Sequence, residues 1–205
     1  MSDTRVFIGS MVAGLAALGV AALIYTSSNK AMASEEDGPG PNLVIEVAGE
    51  GANGSVVIDL EPDIAPKHVA QLVELARNGA DDNVVFHRVI DGFMAQTGDV
   101  KNGVWGHDIS LAGTGKSDLP DIPAEFSDKP FLRGTVGMAR SRQPDSANSQ
   151  FFIMFAPGES LNGQYTVVGH VISGMDVVDA IKKGSIDLNG AVDNPDRMVR
   201  VTVEQ

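Results

Sequence analysis

Val84-Val85-Phe86-His87-Arg88-Val89-Ile90 places one arginine inside a run of large hydrophobes, and Asp91-Gly92-Phe93-Met94-Ala95-Gln96-Thr97-Gly98-Asp99 turns the chain straight back. β-Branched and aromatic residues make the first run a strand. A guanidinium taken out of water without a partner costs several kcal/mol, so Arg88 needs an ion pair, a rim position from which its head reaches solvent, or a function. On the returning strand, period-two alternation puts Met94 and Gln96 on one face and Phe93 on the other, unless the turn brings Phe93 round.

Outward from this hairpin, Leu43–Val47 and Ser55–Leu60 are β-branched runs separated by the glycine-rich Gly49–Gly54, which predicts a second hairpin. Further strands are expected over 83–89, 93–98, 134–139, 150–156, 165–172 and 199–204. Pro66 at a first helical position, then Val69, Leu72, Val73 and Ala76 at helical spacing, and Gly79 past the end, predict a helix over 66–78; a second is expected over 175–183. Eight strands against two helices predict a mainly β fold, a closed eight-stranded antiparallel β-barrel capped by two α-helices, since closure removes sheet edges. The Gly-, Asp- and Pro-rich stretch 102–130 is long enough to expect a functional or mobile loop.

At 205 residues the chain is sized for one domain with an addition. The net charge of −12 disfavours nucleic acid and anionic membrane surfaces as partners, because both carry negative charge. With no cysteine, disulfides, thiolate metal sites and thiol nucleophiles are excluded; four scattered histidines give no zinc pattern, so no metal is expected. Val6–Tyr25 holds no charge over twenty positions, and Ala31-Met32-Ala33 follows it with the small-x-small pattern of a signal-peptidase site. Residues 1–33 are therefore expected to be either a cleaved signal peptide or a single-span anchor through 6–25, exporting the rest. Their one net positive charge leaves −13 on residues 34–205, an acidic body expected to be a periplasmic monomer, with 34–41 an exposed linker before the domain at 42–205.

Three short patterns mislead. Gly49-Glu50-Gly51-Ala52-Asn53-Gly54 fits G-x-G-x-x-G, but a strand follows it where a dinucleotide site needs a helix, so it is a turn. Gly113-Thr114-Gly115-Lys116-Ser117 ends like a phosphate-binding loop without its first glycine or a strand-to-helix setting. Asp187, Asn189, Asp193 and Asp196 lack the glycine and glutamate of a calcium loop and read as solvated.

Phe86-His87-Arg88-Val89-Ile90-x-Gly92-Phe93-Met94-x-Gln96-x-Gly98-Asp99 resembles the signature of the cyclophilin-type peptidyl-prolyl cis-trans isomerases. Gly134–Ala139, Ser149–Ile153, Leu161-Asn162-Gly163 and Val167-Val168-Gly169 match the family's later motifs in order, so the resemblance spans about residues 42–205. It implies the capped eight-stranded barrel, an isomerase of X–Pro bonds in unfolded or flexible proteins, and no cofactor. By position, Arg88 corresponds to the catalytic arginine. Phe93, Met94, Phe152 and Leu161 correspond to the proline-pocket wall, and Gln96, Ala139, Arg140 and Gln150 to the groove for the peptide backbone. A non-catalytic proline-peptide binder using the same groove is the alternative. Four positions depart from the pattern: Thr97 stands for the usual glycine, Tyr165 for a pocket histidine and Arg140 for a common asparagine. Ser160 stands for the tryptophan with which many eukaryotic members contact cyclosporin, so weak cyclosporin binding is expected. His87 is taken as structural; His68 and His107 receive no role.

Overall fold

Strand β1 (Asn42–Ala48) buries Leu43, Ile45 and Val47 on alternate positions, and β2 (Asn53–Leu60) returns beside it with Leu43 opposite Ile58 and Val47 opposite Gly54. Neither strand of this hairpin is an edge of the sheet in the computed structural model, which describes residues 32–205. The leader expected over 1–33 therefore lies almost wholly outside the described residues, and among those described no helix is long and apolar enough to cross a membrane. Residues 34–39 are exposed yet tied to the body: Gly38 N–H donates to Asp59 Oδ2 at 3.1 Å, and His170 Nε2 lies 3.2 Å from Glu36 O.

The other strands are β3 (Val84–Val85), β4 (Arg88–Ile90), β5 (Met94–Thr97), β6 (Thr135–Met138), β7 (Phe151–Met154), β8 (Val167–Ser173) and β9 (Arg197–Glu204). All ladders are antiparallel, in the order β3-β9-β1-β2-β8-β6-β7-β5-β4. The fold is thus mainly β, but the expected closed eight-stranded barrel is corrected to an open, strongly curled nine-stranded sheet. The run read as one strand over 83–89 breaks at Phe86-His87. Its first half pairs with β9 and its second with β5, so the two outer members of the sheet are consecutive pieces of chain with no ladder between them. Residues 190–196 run along this seam instead: Val89 N–H donates to Gly190 O at 2.8 Å, Val192 N–H to His87 O at 3.3 Å and Phe86 N–H to Asp196 O at 2.9 Å. The backbone groups that the break would orphan are thereby paired.

His87, at the break, is buried with no hydrogen-bond partner on either ring nitrogen, and burial pulls its pKa down to about 4. It is structural, as expected: Gly113, at φ +94°, packs so closely that a Cβ there would sit 2.9 Å from the imidazole. Asp196 overturns the solvated reading of its loop. Its buried carboxylate accepts from Gly51 N–H at 2.9 Å, Ala52 N–H at 3.0 Å and Lys182 N–H at 2.8 Å. A Cβ on Gly49 would stand 2.0 Å from that carboxylate, which explains the glycines of the β1–β2 turn.

Helix α1 (Pro66–Arg77) packs on β9, and α2 (Met175–Ala180) on β2. α1 begins at Pro66 after an Ala65 that offers no cap; Glu125 supplies one from the long loop, accepting from Lys67 N–H and His68 N–H, each at 3.1 Å, and pairing with the buried His68 Nδ1 at 2.6 Å. α2 stops short of the expected Lys183, where Lys182 N–H leaves the helix for Asp196.

Asp196→Ala leaves three inward N–H groups without their acceptor and is expected to cost about 3 kcal/mol, read as a lower denaturant midpoint at unchanged slope. His87 predicts an acid dependence. The unfolded imidazole takes its proton near 6.5 and the folded one near 4, so its contribution to stability falls as pH drops through that window and levels off below it. His87→Gln should narrow the difference in melting temperature between pH 7 and pH 4.

Candidate active site

The β4–β5 hairpin and its neighbour β7 set one row of side chains across the sheet: Arg88 lies opposite Gln96, and Gln96 opposite Phe152, whose partner on β6 is Gly137. Along β5 and β7, Ala95, Phe151 and Ile153 join the main core, whereas Met94, Phe152 and Met154 form a second apolar cluster with Phe131 and Val167. Alternation therefore presents Met94, Gln96 and Phe152 on one face, away from the main core. Gly137 leaves the space for this cluster, since a Cβ there would meet Phe131 at 2.5 Å and Phe152 at 2.6 Å.

Phe93 escapes the alternation because it belongs to the turn. With Gly92 at φ +69° and Phe93 N–H donating to Ile90 O at 3.0 Å, the chain enters β5 only at Met94, and the Phe93 ring comes round to the Met94 side. The result is a concavity of about 190 Å³ lined by Arg88, Phe93, Met94, Gln96, Ala139, Arg140, Phe152, Leu161 and Tyr165. Nine of the ten residues proposed from the sequence meet there, and Gln150 lies in an adjoining hollow of about 310 Å³ that shares Gln96, Ala139 and Arg140. The floor is aromatic: Phe152 stacks on Phe131 with centroids 5.7 Å apart and meets Tyr165 edge-on at 5.9 Å. Arg140 lies 4.4 Å over the Tyr165 ring and donates to Gln164 O at 2.7 Å and Ser141 O at 3.0 Å, so it closes one end of the hollow.

The polar groups are wired in one direction. Asp99, fully buried, accepts from Asn102 N–H at 2.8 Å on one oxygen and from Gly113 N–H at 2.7 Å and Gly115 N–H at 2.8 Å on the other. The carbonyls of Gly113 and Gly115 then receive Gln150 Nε2 at 3.2 and 2.7 Å. Two acceptors on one side fix the orientation of the Gln150 amide, whose Oε1 accepts from Gln96 Nε2 at 2.9 Å. Gln96 is left with its Oε1 toward Arg88, which donates from Nη1 at 3.2 Å. On its other edge Arg88 donates from Nε to Asn189 O at 3.0 Å and from Nη2 to Asn189 Oδ1 at 3.1 Å. Sequence reasoning missed the parts played by Asp99, Gly113, Gly115 and Asn189. Asp99 stood inside the quoted motif, and the Gly-x-Gly spacing at 113–115 was weighed only for phosphate; Asn189 had no local signal.

The half-buried guanidinium therefore stands on an apolar floor beside a polar hollow. Residues 43–203 match the family model described as cyclophilin-type peptidyl-prolyl cis-trans isomerase/CLD. Probable peptidyl-prolyl cis-trans isomerases of Brucella suis and Brucella abortus are 55% identical over 190 residues, covering 92% of this chain and 95% of theirs. The fold is similar to cyclophilin AquaCyp293 from Hirschia baltica, with TM-score 0.64 and 24% identity over 89% of this chain and 79% of that one. It is also similar to a Cryptosporidium parvum cyclophilin-type isomerase solved in the presence of the dipeptide Ala-Pro, with TM-score 0.66 and 22% identity over 80% of this chain and 99% of that one. With the matched model spanning most of its length, the chain belongs to the cyclophilin-type peptidyl-prolyl cis-trans isomerases.

Proposed function

We propose that the chain isomerises X–Pro bonds with Arg88 as its catalytic residue and the 190 Å³ concavity as its proline pocket. The observation that carries this reading is the guanidinium's donor inventory. Of its five N–H groups, three are committed to Asn189 O, Asn189 Oδ1 and Gln96 Oε1. Nη2 keeps one N–H, and Nη1 keeps another engaged only by the soft contact to Met94 Sδ at 4.0 Å. A cation is thus held at the rim of an apolar pocket with donors unspent.

An X–Pro amide resists rotation because resonance ties up the nitrogen lone pair, at a barrier of roughly 18–20 kcal/mol. As the bond twists, the lone pair returns to nitrogen, which then accepts a hydrogen bond that the planar ground state cannot. A guanidinium N–H placed there stabilises the twisted state alone, which is the condition for acceleration. Phe93, Met94, Phe152 and Leu161 grip the pyrrolidine ring and keep water from the free donors, and Tyr165 closes the floor. Gln96, Gln150, Ala139 and Arg140 hold the flanking backbone, so that rotation is confined to one bond. No proton or covalent bond changes hands.

The substrates are proline-containing segments of unfolded or flexible proteins, whose extended backbone can lie along the hollow beside the pocket. The apolar stretch Val6–Tyr25 with Ala31-Met32-Ala33 supports action outside the cytoplasm, in the periplasm, as a processed protein or one anchored to the inner membrane. The acidic body, which repels its own copies, supports a monomer.

Proline exchange in an Ala-Pro-Phe peptide, followed by NMR with the parent and Arg88→Ala side by side, tests the reading. The parent should accelerate exchange at catalytic concentration and the variant should lose about a hundredfold, with peptide affinity changed little. Binding without acceleration would make the groove a recognition module. Ser160, exposed on the turn Glu159–Leu161, offers no aromatic wall; Ser160→Trp is expected to raise cyclosporin affinity at least tenfold in a titration, by adding roughly 1.5 kcal/mol of apolar contact.

A further inference from the structure

We infer that Asn189 is the positioning residue that fixes the plane of the Arg88 guanidinium, an inference that rests on Arg88 being the catalytic donor. A long arginine side chain has much rotamer freedom to lose, and a donor that wanders stabilises a transition state poorly. The bond to Gln96 Oε1 holds one nitrogen and leaves the group free to pivot about it. Asn189 removes that freedom, because its backbone O takes Nε–H at 3.0 Å and its own Oδ1 takes Nη2–H at 3.1 Å. Two acceptors from one residue along one edge of a planar fork define a plane, as a carboxylate does for arginine, but here they are neutral and leave the positive charge for substrate.

The backbone of Asn189 is shaped for this. It is left-handed, at φ 54° and ψ 35°, a conformation asparagine tolerates better than most residues, and it turns the carbonyl and the side-chain oxygen toward the same neighbour. The turn is referenced to the strand that carries Arg88. Gly190 N–H closes back on Ser185 O at 2.8 Å, Val89 N–H donates to Gly190 O at 2.8 Å, and Gly184 N–H to Val89 O at 2.9 Å. Gly190, at φ +83°, approaches β4 so closely that a Cβ would stand 2.5 Å from Ile90 Cγ1. Asn189 therefore moves with β4, and Arg88 is held between two references: the Asp99–Gln150–Gln96 chain on one side and this turn on the other.

The test uses Asn189→Gly in the full-length protein, since glycine keeps the left-handed backbone and the bond to Nε while deleting Oδ1. With the Ala-Pro-Phe peptide, kcat should fall about fivefold and KM should stay within about twofold, while the melting temperature should drop by no more than a few degrees, as for loss of one hydrogen bond and a gain of chain entropy at an exposed turn, leaving the protein folded at the assay temperature. The same substitution in an Arg88→Lys background, where the planar fork is gone, should cost no more than about twofold further. An unchanged kcat in Asn189→Gly, a loss carried by KM or by unfolding, or an equal loss in both backgrounds would each overturn the inference. Full activity in Arg88→Lys would instead remove the reading of Arg88 on which it rests.

Discussion

A single break in one strand organises the rest of the structure. At Phe86-His87 the chain leaves one ladder and joins another, so the two edges of the nine-stranded sheet are held together covalently, with residues 190–196 filling the seam by backbone hydrogen bonds. A ladder at this point would have carried Arg88 on a continuous strand paired on both sides. The break instead makes β4 a three-residue strand whose free side faces the turn that holds Asn189. The seam and the site are thus one feature: the backbone pairing that completes the sheet also delivers the second grip on the guanidinium.

The site's polarity has a similar economy. A buried carboxylate surrounded by amides tolerates its charge because the N–H dipoles replace the water it lost. Asp99 uses this to gather Gly113 and Gly115, whose carbonyls then face the groove together. Each later partner has one orientation left, so the Gln96 oxygen, and not its nitrogen, meets Arg88. Glu125, pinned to the start of α1, anchors the far end of the same loop. The long stretch 102–130 therefore sets the direction of the Gln150 and Gln96 amides.

Much of this was legible in the chain. Alternation assigned Met94 and Gln96 to one face, Pro66 and its apolar spacing located α1, and the incongruous Arg88 marked a position in need of explanation, whereas the pocket residues followed from the family resemblance. What stayed hidden depends on approach between distant segments. Nothing local tells that Val84–Val85 and Arg88–Ile90 serve opposite edges of the sheet, because both halves have the same β-branched character. Asp196 and Asn189 sit in a polar stretch that looks solvated, yet one is buried under three amides and the other grips an arginine 101 positions away. Phe93 was ambiguous for a different reason: alternation applies to strand residues, and one residue of difference at the turn exit decides which face it takes.

The degree of burial of Arg88 is itself a compromise that the surroundings enforce. Fully exposed, its spare N–H groups would be solvated, and a twisting amide would have to displace water from them before gaining a bond. Fully buried, the charge would cost more than neutral partners return. Half-buried, with burial drawing its pKa below the ordinary value, it keeps one edge wired to protein and the other over an apolar floor. Its three committed acceptors are neutral oxygens, so none of them cancels the charge. A carboxylate in place of either partner would hold the group as firmly and weaken it as a donor. That difference explains why, in a chain so rich in acidic residues, the cation proposed to act on the substrate is held by amide oxygens.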